Sequence, residues 1–143
     1  MKPFHIQKIL IPVDLSENSL LALEHGVFMS KLLKADIEIA HVVENNHWFA
    51  QGTQTPSPET EKKLKELVED IHLKSGVTVH LHVKPGKISK TIVDIAKQIN
   101  ADLIVMGTHG VSGFEEFFAG SNAFRVVTDA PCPVLTVQTH ATK

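Results

Sequence analysis

Cysteine is almost absent from this chain: of 143 residues only Cys132 carries a thiol. A lone cysteine excludes an intrachain disulfide and the tetrathiolate zinc patterns, and it fits a reducing compartment. An excess of basic charge is lacking too. Lys and Arg number 14 against 16 Asp and Glu, a net charge of −2 with the histidines neutral. The chain therefore offers no general attraction for nucleic acid or for an acidic membrane surface. No apolar run is long enough for a signal peptide or a membrane span, and the start, Met1 to Lys8, is charged and broken by Pro3. A cytoplasmic location is expected, with neither nucleic acid nor membrane as partner. Internal repeats, low-complexity tracts and linkers are also missing, so residues 1–143 are expected to form one domain, large enough to bury a core unaided.

What is present is alternation. Short β-branched runs take turns with longer stretches of helical period, the pattern of an α/β protein with a parallel sheet covered by helices on both faces. Five strands and four helices fit. Lys8 to Asp14 (KILIPVD) reads as a central strand buried on both faces. A first helix is expected from an N-cap at Ser16 to about Lys34, with Leu21, Phe28 and Leu32 beside Ala22, Met29 and Leu33 facing inward. A strand over Asp36 to Glu44 is followed by the polar loop Asn45 to Ser57, whose bulky members Trp48 and Phe49 either lid a pocket or pin the loop.

Ser57, Pro58 and Glu59 open a second helix, with Leu64, Leu67, Val68 and Ile71 on its inner face. Val77 to Lys84 alternates apolar residues with Thr78, His80, His82 and Lys84, the pattern of an edge strand with one wet face. A third helix follows Gly86, carrying Ile88, Ile92, Ile95, Ala96 and Ile99, and ends near Asn100. A fourth strand (Asp102 to Gly107), a last helix near Ser121 to Asp129 and a fifth strand (Pro133 to Gln138) complete the pattern.

In open α/β sheets ligands bind beyond the carboxyl ends of the strands, where strand order reverses. Two segments compete for that place. One is Pro12, Val13 and Asp14 with Ser16; the other is GTHGVSGFEEFFAGS, from Gly107 to Ser121. If they are neighbours, the strand order is 3-2-1-4-5 and the switch point falls between strands one and four. Gly107, Gly110, Gly120 and Ser121 stand between a strand and a helix. Glycines there let backbone N–H groups approach phosphate, the helix N-terminus adds favourable partial charge, and Ser121 adds a hydroxyl. The pattern is neither a P-loop nor the dinucleotide fingerprint. Its bland alternative is a tight loop that lets the last helix pack closely.

These segments, from KILIPVDLSENS through IEIAHVVE and ADLIVMGTHG to GSNAFRVVTDAPCPVLTV, resemble the universal stress protein family over essentially the whole chain. The resemblance implies a Rossmann-like, adenine nucleotide alpha hydrolase-like doubly wound sheet. It also places the chain with the family's ATP-binding members, which share the Gly107, Gly110, Gly120, Ser121 pattern. By this resemblance Pro12, Val13 and Asp14 lie by the adenosine, the Val42 backbone reads adenine, Met106 lines the pocket and Gly107 approaches the ribose. Gly110, Gly120, Ser121 and the Asn122 backbone hold the phosphates, usually with a divalent ion such as Mg2+ bridging them. Many ATP-binding relatives carry a basic residue in the nine-residue insert and a hydroxyl soon after the last glycine; here stand Glu115, Glu116 and Ala123. Acids near a polyphosphate repel it, so ADP or AMP is expected as an alternative ligand to ATP.

Other residues carry two readings each. Asp14 is a ligand contact or a helix-capping acid beside Ser16. His80 and His82 are half of a metal site or a solvated edge face, and no Asp, Glu or Cys joins them in their own strand. His109 touches phosphate or faces water. Cys132, between Pro131 and Pro133, reads as a buried inert thiol before a redox sensor. The fifth strand, apolar on both faces through Val134, Leu135 and Val137, is an edge that needs cover, and pairing with its twin in a homodimer agrees with the family habit. The expected function is a homodimeric adenine-nucleotide-binding stress-response module without dedicated catalysis. The alternatives are a nucleotide-free interaction or chaperone-like module, and a weak ATP hydrolase using His109, Glu115 or Glu116.

Overall fold

A computed structural model of the protein describes residues 4–44, 55–108 and 121–138. The described residues form one five-stranded sheet: β1 (Lys8–Pro12), β2 (Asp36–Glu44), β3 (Val79–Gly86), β4 (Leu103–Gly107) and β5 (Val134–Val137). They also form four helices: α1 (Glu17–Leu33), α2 (Pro58–Ser75), α3 (Ile88–Ile99) and α4 (Ser121–Asp129). The strand order is β3-β2-β1-β4-β5, and every pairing is parallel. The expected doubly wound α/β architecture and its order are thus the observed ones.

Each face of the sheet has its own core. Ile9, Ile11, Ile37, Ile39, Leu103 and Val105 pack beneath α1 and α2. Leu10, Ala40, Ile104 and Met106 pack with Ile92, Ile95 and Ala96 of α3 and with Ala123 and Val126 of α4. Adjacent strand residues serve opposite cores, so Ile9 to Ile11 of β1 and Leu103 to Met106 of β4 are apolar without interruption.

The helix ends follow local chemistry. Ser16 caps α1, its Oγ accepting the Ser19 N–H at 3.3 Å, and Ser57 caps α2 with Pro58 in the first turn. Lys34, Gly76 and Asn100 close α1, α2 and α3 in the left-handed conformation, which frees the chain to turn into the next strand.

Two expectations are corrected here. The inward stripe of α1 is Ser19, Ala22, Leu23, Gly26 and Ser30, whereas Phe28 and Leu32 are 69% and 71% exposed and Leu33 is exposed as well. The helix comes closest to the sheet at Gly26, where a Cβ would overlap the Ile11 side chain, while Leu23, Leu21 and Met29 pack against the core beside it. Of the residues expected to face inward, Ala22 is buried and Leu21 and Met29 pack against the core, so the correction concerns Phe28, Leu32 and Leu33. The third strand begins two residues later than expected and runs on through Pro85 to Gly86, because β2 supplies partners as far as Val43 and Glu44. Pro85 is tolerated since β3 is an edge strand. Val77 is held instead by the end of α2: its N–H donates to Ser75 Oγ at 3.1 Å, and its carbonyl lies 3.0 Å from His72 Nδ1.

Candidate functional site

The switch point opens between β1 and β4. Their pairing covers only Ile9 with Leu103 and Leu10 with Ile104. β1 stays paired with β2 as far as Pro12, and β4 with β5 as far as Gly107. The two central strands therefore part toward their carboxyl ends, where a crevice is expected in this architecture. The N-termini of two helices stand at that end: α1 begins five residues after β1 closes, and α4 must start there to return the chain for a β5 parallel to β4.

The chain leaving β1 is tied on all sides. The Val13 N–H donates to the Ala40 carbonyl at 2.8 Å, and the Asp14 N–H donates to Ser19 Oγ at 3.3 Å. Asp14 Oδ1 accepts the Ser16 N–H at 2.9 Å, while Leu15 between them holds a positive φ of 68°. A leucine in the left-handed region is strained, and it persists because the neighbouring bonds over-determine it. Asp14 is exposed and acts on the helix entry by accepting the N–H of Ser16, the residue that caps α1.

Gly107 closes β4. A Cβ there would stand 2.9 Å from the Asn18 carbonyl oxygen and 3.0 Å from its carbon. The glycine thus lets the first turn of α1 lie against the end of β4, a tight-packing role like the one weighed for the glycine pattern, but toward α1 and not toward the last helix. Val42 is half-buried, and the Met106 side chain belongs to the core under α3 and α4. Ser121 and Asn122 are exposed in the first turn of α4, and Ala123 is buried. Pro12, Val13, Asp14, Val42, Met106 and Gly107 accordingly gather at the carboxyl edge, with Ser121 and Asn122 at the start of the helix that faces it. Gly110 and Gly120, with His109, Glu115, Glu116, Trp48 and Phe49, lie outside the described residues.

One cluster was missed from the sequence. The register sets Glu38 of β2 opposite His80 of β3, on the face toward α3. Glu38 Oε2 comes within 2.8 Å of His80 Nδ1 and 3.6 Å of His82 Nε2, with the Glu38 side chain only 7% exposed and that of His82 26%. The approach to His80 is an ion-pair distance without hydrogen-bond alignment, so Oε2 and His82 Nε2 are both buried without a hydrogen-bond partner. The face is therefore not simply solvated, as read from β3 alone; the carboxylate comes from the neighbouring strand, and only the register reveals it. Among the described residues, no group of three or more His, Cys, Asp and Glu side chains is placed to hold a metal ion. A separate groove of about 490 Å3 runs between α2 and β3, lined by Lys65, Val68, His72 and Leu81 among others, and contains none of the expected site residues. No helix among the described residues is long and apolar enough to cross a membrane.

Comparison with known proteins agrees with this geometry. The family model described as the universal stress protein family matches residues 5–138. Universal stress protein MJ0531 of Methanocaldococcus jannaschii is 35% identical, with 92% of this chain and 82% of that protein covered. Among solved structures, universal stress protein UspA from Lactobacillus plantarum is similar with a TM-score of 0.79 at 24% identity, covering 93% of this chain and 98% of that one. Two others are described as complexes. A universal stress protein with cAMP has a TM-score of 0.70 at 20% identity, covering 94% of this chain and 98% of that one. The Archaeoglobus fulgidus universal stress protein with dAMP has a TM-score of 0.65 at 21% identity, with 94% and 98% covered. The structural likenesses establish the fold; with the family match and the M. jannaschii relative, they show that the chain belongs to the universal stress protein family.

Proposed function

We propose that the protein is an adenine-nucleotide-binding module, with ATP as the principal ligand and ADP or AMP as further ones, serving a stress response as a regulatory homodimer and not as a dedicated catalyst. The observation that carries the reading is the short pairing of β1 with β4, which lets their carboxyl ends part beside the tied Val13–Asp14 backbone and Gly107, with the N-terminus of α1 at the same end. Helix N-termini and free backbone N–H groups favour phosphate without any lysine or arginine. Relatives of the same fold described in complex with cAMP and dAMP support an adenine ligand for this chain.

In this reading Pro12, Val13, Asp14 and the Val42 backbone meet adenosine, Met106 lines the pocket, Gly107 approaches the ribose, and Gly110, Gly120, Ser121 and Asn122 hold the phosphates. A divalent ion such as Mg2+, if bound, would be held with the phosphates beside Ser121 and Asn122 and would offset their charge. The test is calorimetric titration with ATP, ADP and AMP, with and without magnesium, on the wild type and on a Gly120→Asp variant. Saturable binding to the wild type, at least tenfold weaker in the variant, is expected. No binding by either protein would leave the chain a nucleotide-free interaction module.

A further inference from the structure

His41 sits one residue before Val42, near the carboxyl end of β2, and its ring turns toward β1. His41 Nδ1 is 2.8 Å from the Val13 carbonyl oxygen. A carbonyl only accepts, so Nδ1 carries the proton and the contact selects that form of the ring. The Val13 carbonyl and the Asp14 N–H belong to one planar peptide unit, and they point in opposite directions across it. His41 holds the oxygen end from β2, while Ser19 Oγ of α1 accepts from the N–H end at 3.3 Å. The Val13 N–H is held in turn by the Ala40 carbonyl at 2.8 Å, and the Val13 side chain is buried in the core.

We propose that His41 is a positioning residue for the nucleotide site: its ring fixes the Val13–Asp14 peptide and spaces it from Val42, setting the two backbone walls between which the adenosine lies. The inference rests on the nucleotide-binding reading above. The chain needs such a clamp because Leu15, two residues on, holds a strained conformation that would relax if the Val13–Asp14 peptide could turn over. A turned peptide would swing the carbonyl from β2 toward α1, break the Asp14 bond to Ser19 and displace the exposed Asp14 carboxylate.

The experiment compares His41→Asn and His41→Phe with the wild type. The asparagine amide nitrogen stands as many bonds from Cβ as Nδ1 does, so it keeps a donor, whereas phenylalanine keeps the ring and loses it. Calorimetric affinity for ATP is expected to stay within about twofold in His41→Asn and to fall about tenfold in His41→Phe, the range of one hydrogen bond. Equal losses in the two variants, or none in His41→Phe, would overturn the proposal. Ring nitrogen NMR on the nucleotide-free protein should show a protonated Nδ1 on His41, and the Val13 carbonyl and Asp14 amide shifts should move in His41→Phe but not in His41→Asn. An unprotonated Nδ1 or unmoved shifts would overturn the clamp itself. Failure of the wild type to bind any nucleotide would instead overturn the site reading, with the NMR result still deciding whether His41 holds the peptide.

Discussion

Cys132 stands half-buried between two prolines at the entry to β5, where burial, and after it the negative charge of Asp102, push its thiol up. A raised thiol keeps its proton in the folded protein under conditions where the unfolded chain releases it. Stability from this group is therefore whole below the ordinary thiol value near ~8.5 and is lost as pH rises toward the folded value. Thermal melts between pH 7 and 10 should show the wild type losing Tm more steeply than Cys132→Ala above about pH 8.5. Parallel curves would show that the site does not favour the protonated thiol. The same rise keeps the thiolate scarce at neutral pH, in line with an inert cysteine. Glu38 illustrates the opposite economy: a carboxylate buried beside two histidines, with one oxygen lacking an aligned partner, is a cost the fold carries at its β3 edge.

At the scale of elements, the sheet is held at its amino ends by one side chain from the turn before β4. Asp102 Oδ2 accepts the Gln7 N–H at 2.8 Å and the Lys8 N–H at 3.0 Å, and the Asp102 N–H donates to the Lys8 carbonyl at 3.0 Å. β1 and β4 are thus fastened where they pair and free to part where the crevice opens. Removing the carboxylate in Asp102→Ala is expected to cost about 2 kcal/mol, the scale of one exposed and one half-buried bond to a charged acceptor, and Asp102→Asn about half of that. Urea denaturation reads the loss, and an unchanged midpoint would show that other contacts hold the strands. Nucleotide affinity should not change, since these bonds lie at the end of the sheet opposite the crevice. The exposed i,i+4 ion pairs of α2, Glu59 with Lys63, Glu61 with Lys65, Lys62 with Glu66 and Asp70 with Lys74, are by contrast worth only tenths of a kcal/mol each.

For the whole molecule, the open question of packing is β5. It is an edge strand, Leu135 is 41% exposed, and α4 beside it leaves Phe124 at 72% and Val127 at 52% exposed. A bare apolar edge templates further strand pairing. A second copy pairing its own β5 across a two-fold axis would cover both edges with one interface, which is the dimer proposed here. Sedimentation at micromolar concentration should give a dimer for the wild type and a monomer for Leu135→Glu; a wild-type monomer would sink the proposal.

The parts of this protein that its sequence determined unaided are those where one residue's surroundings are set by its own chain neighbours. β2 ends at its acidic flanks, Asp36 and Glu44, and Ser16, Ser57 and Asn100 mark helix ends because capping is local chemistry. Alternation implies the parallel α/β class, while the order 3-2-1-4-5 follows only if the aspartate- and glycine-bearing segments are neighbours, which the strand pairing bears out. What only the tertiary structure decided depends on distances between elements. The side of α1 that faces the sheet depends on how near Gly26 comes to Ile11, and the meeting of Glu38 with His80 and His82 depends on register. The grip of His41 on Val13 joins residues 28 positions apart. Spacing along a chain does not encode such separations, because they are fixed only when the packed strands and helices set each other's positions.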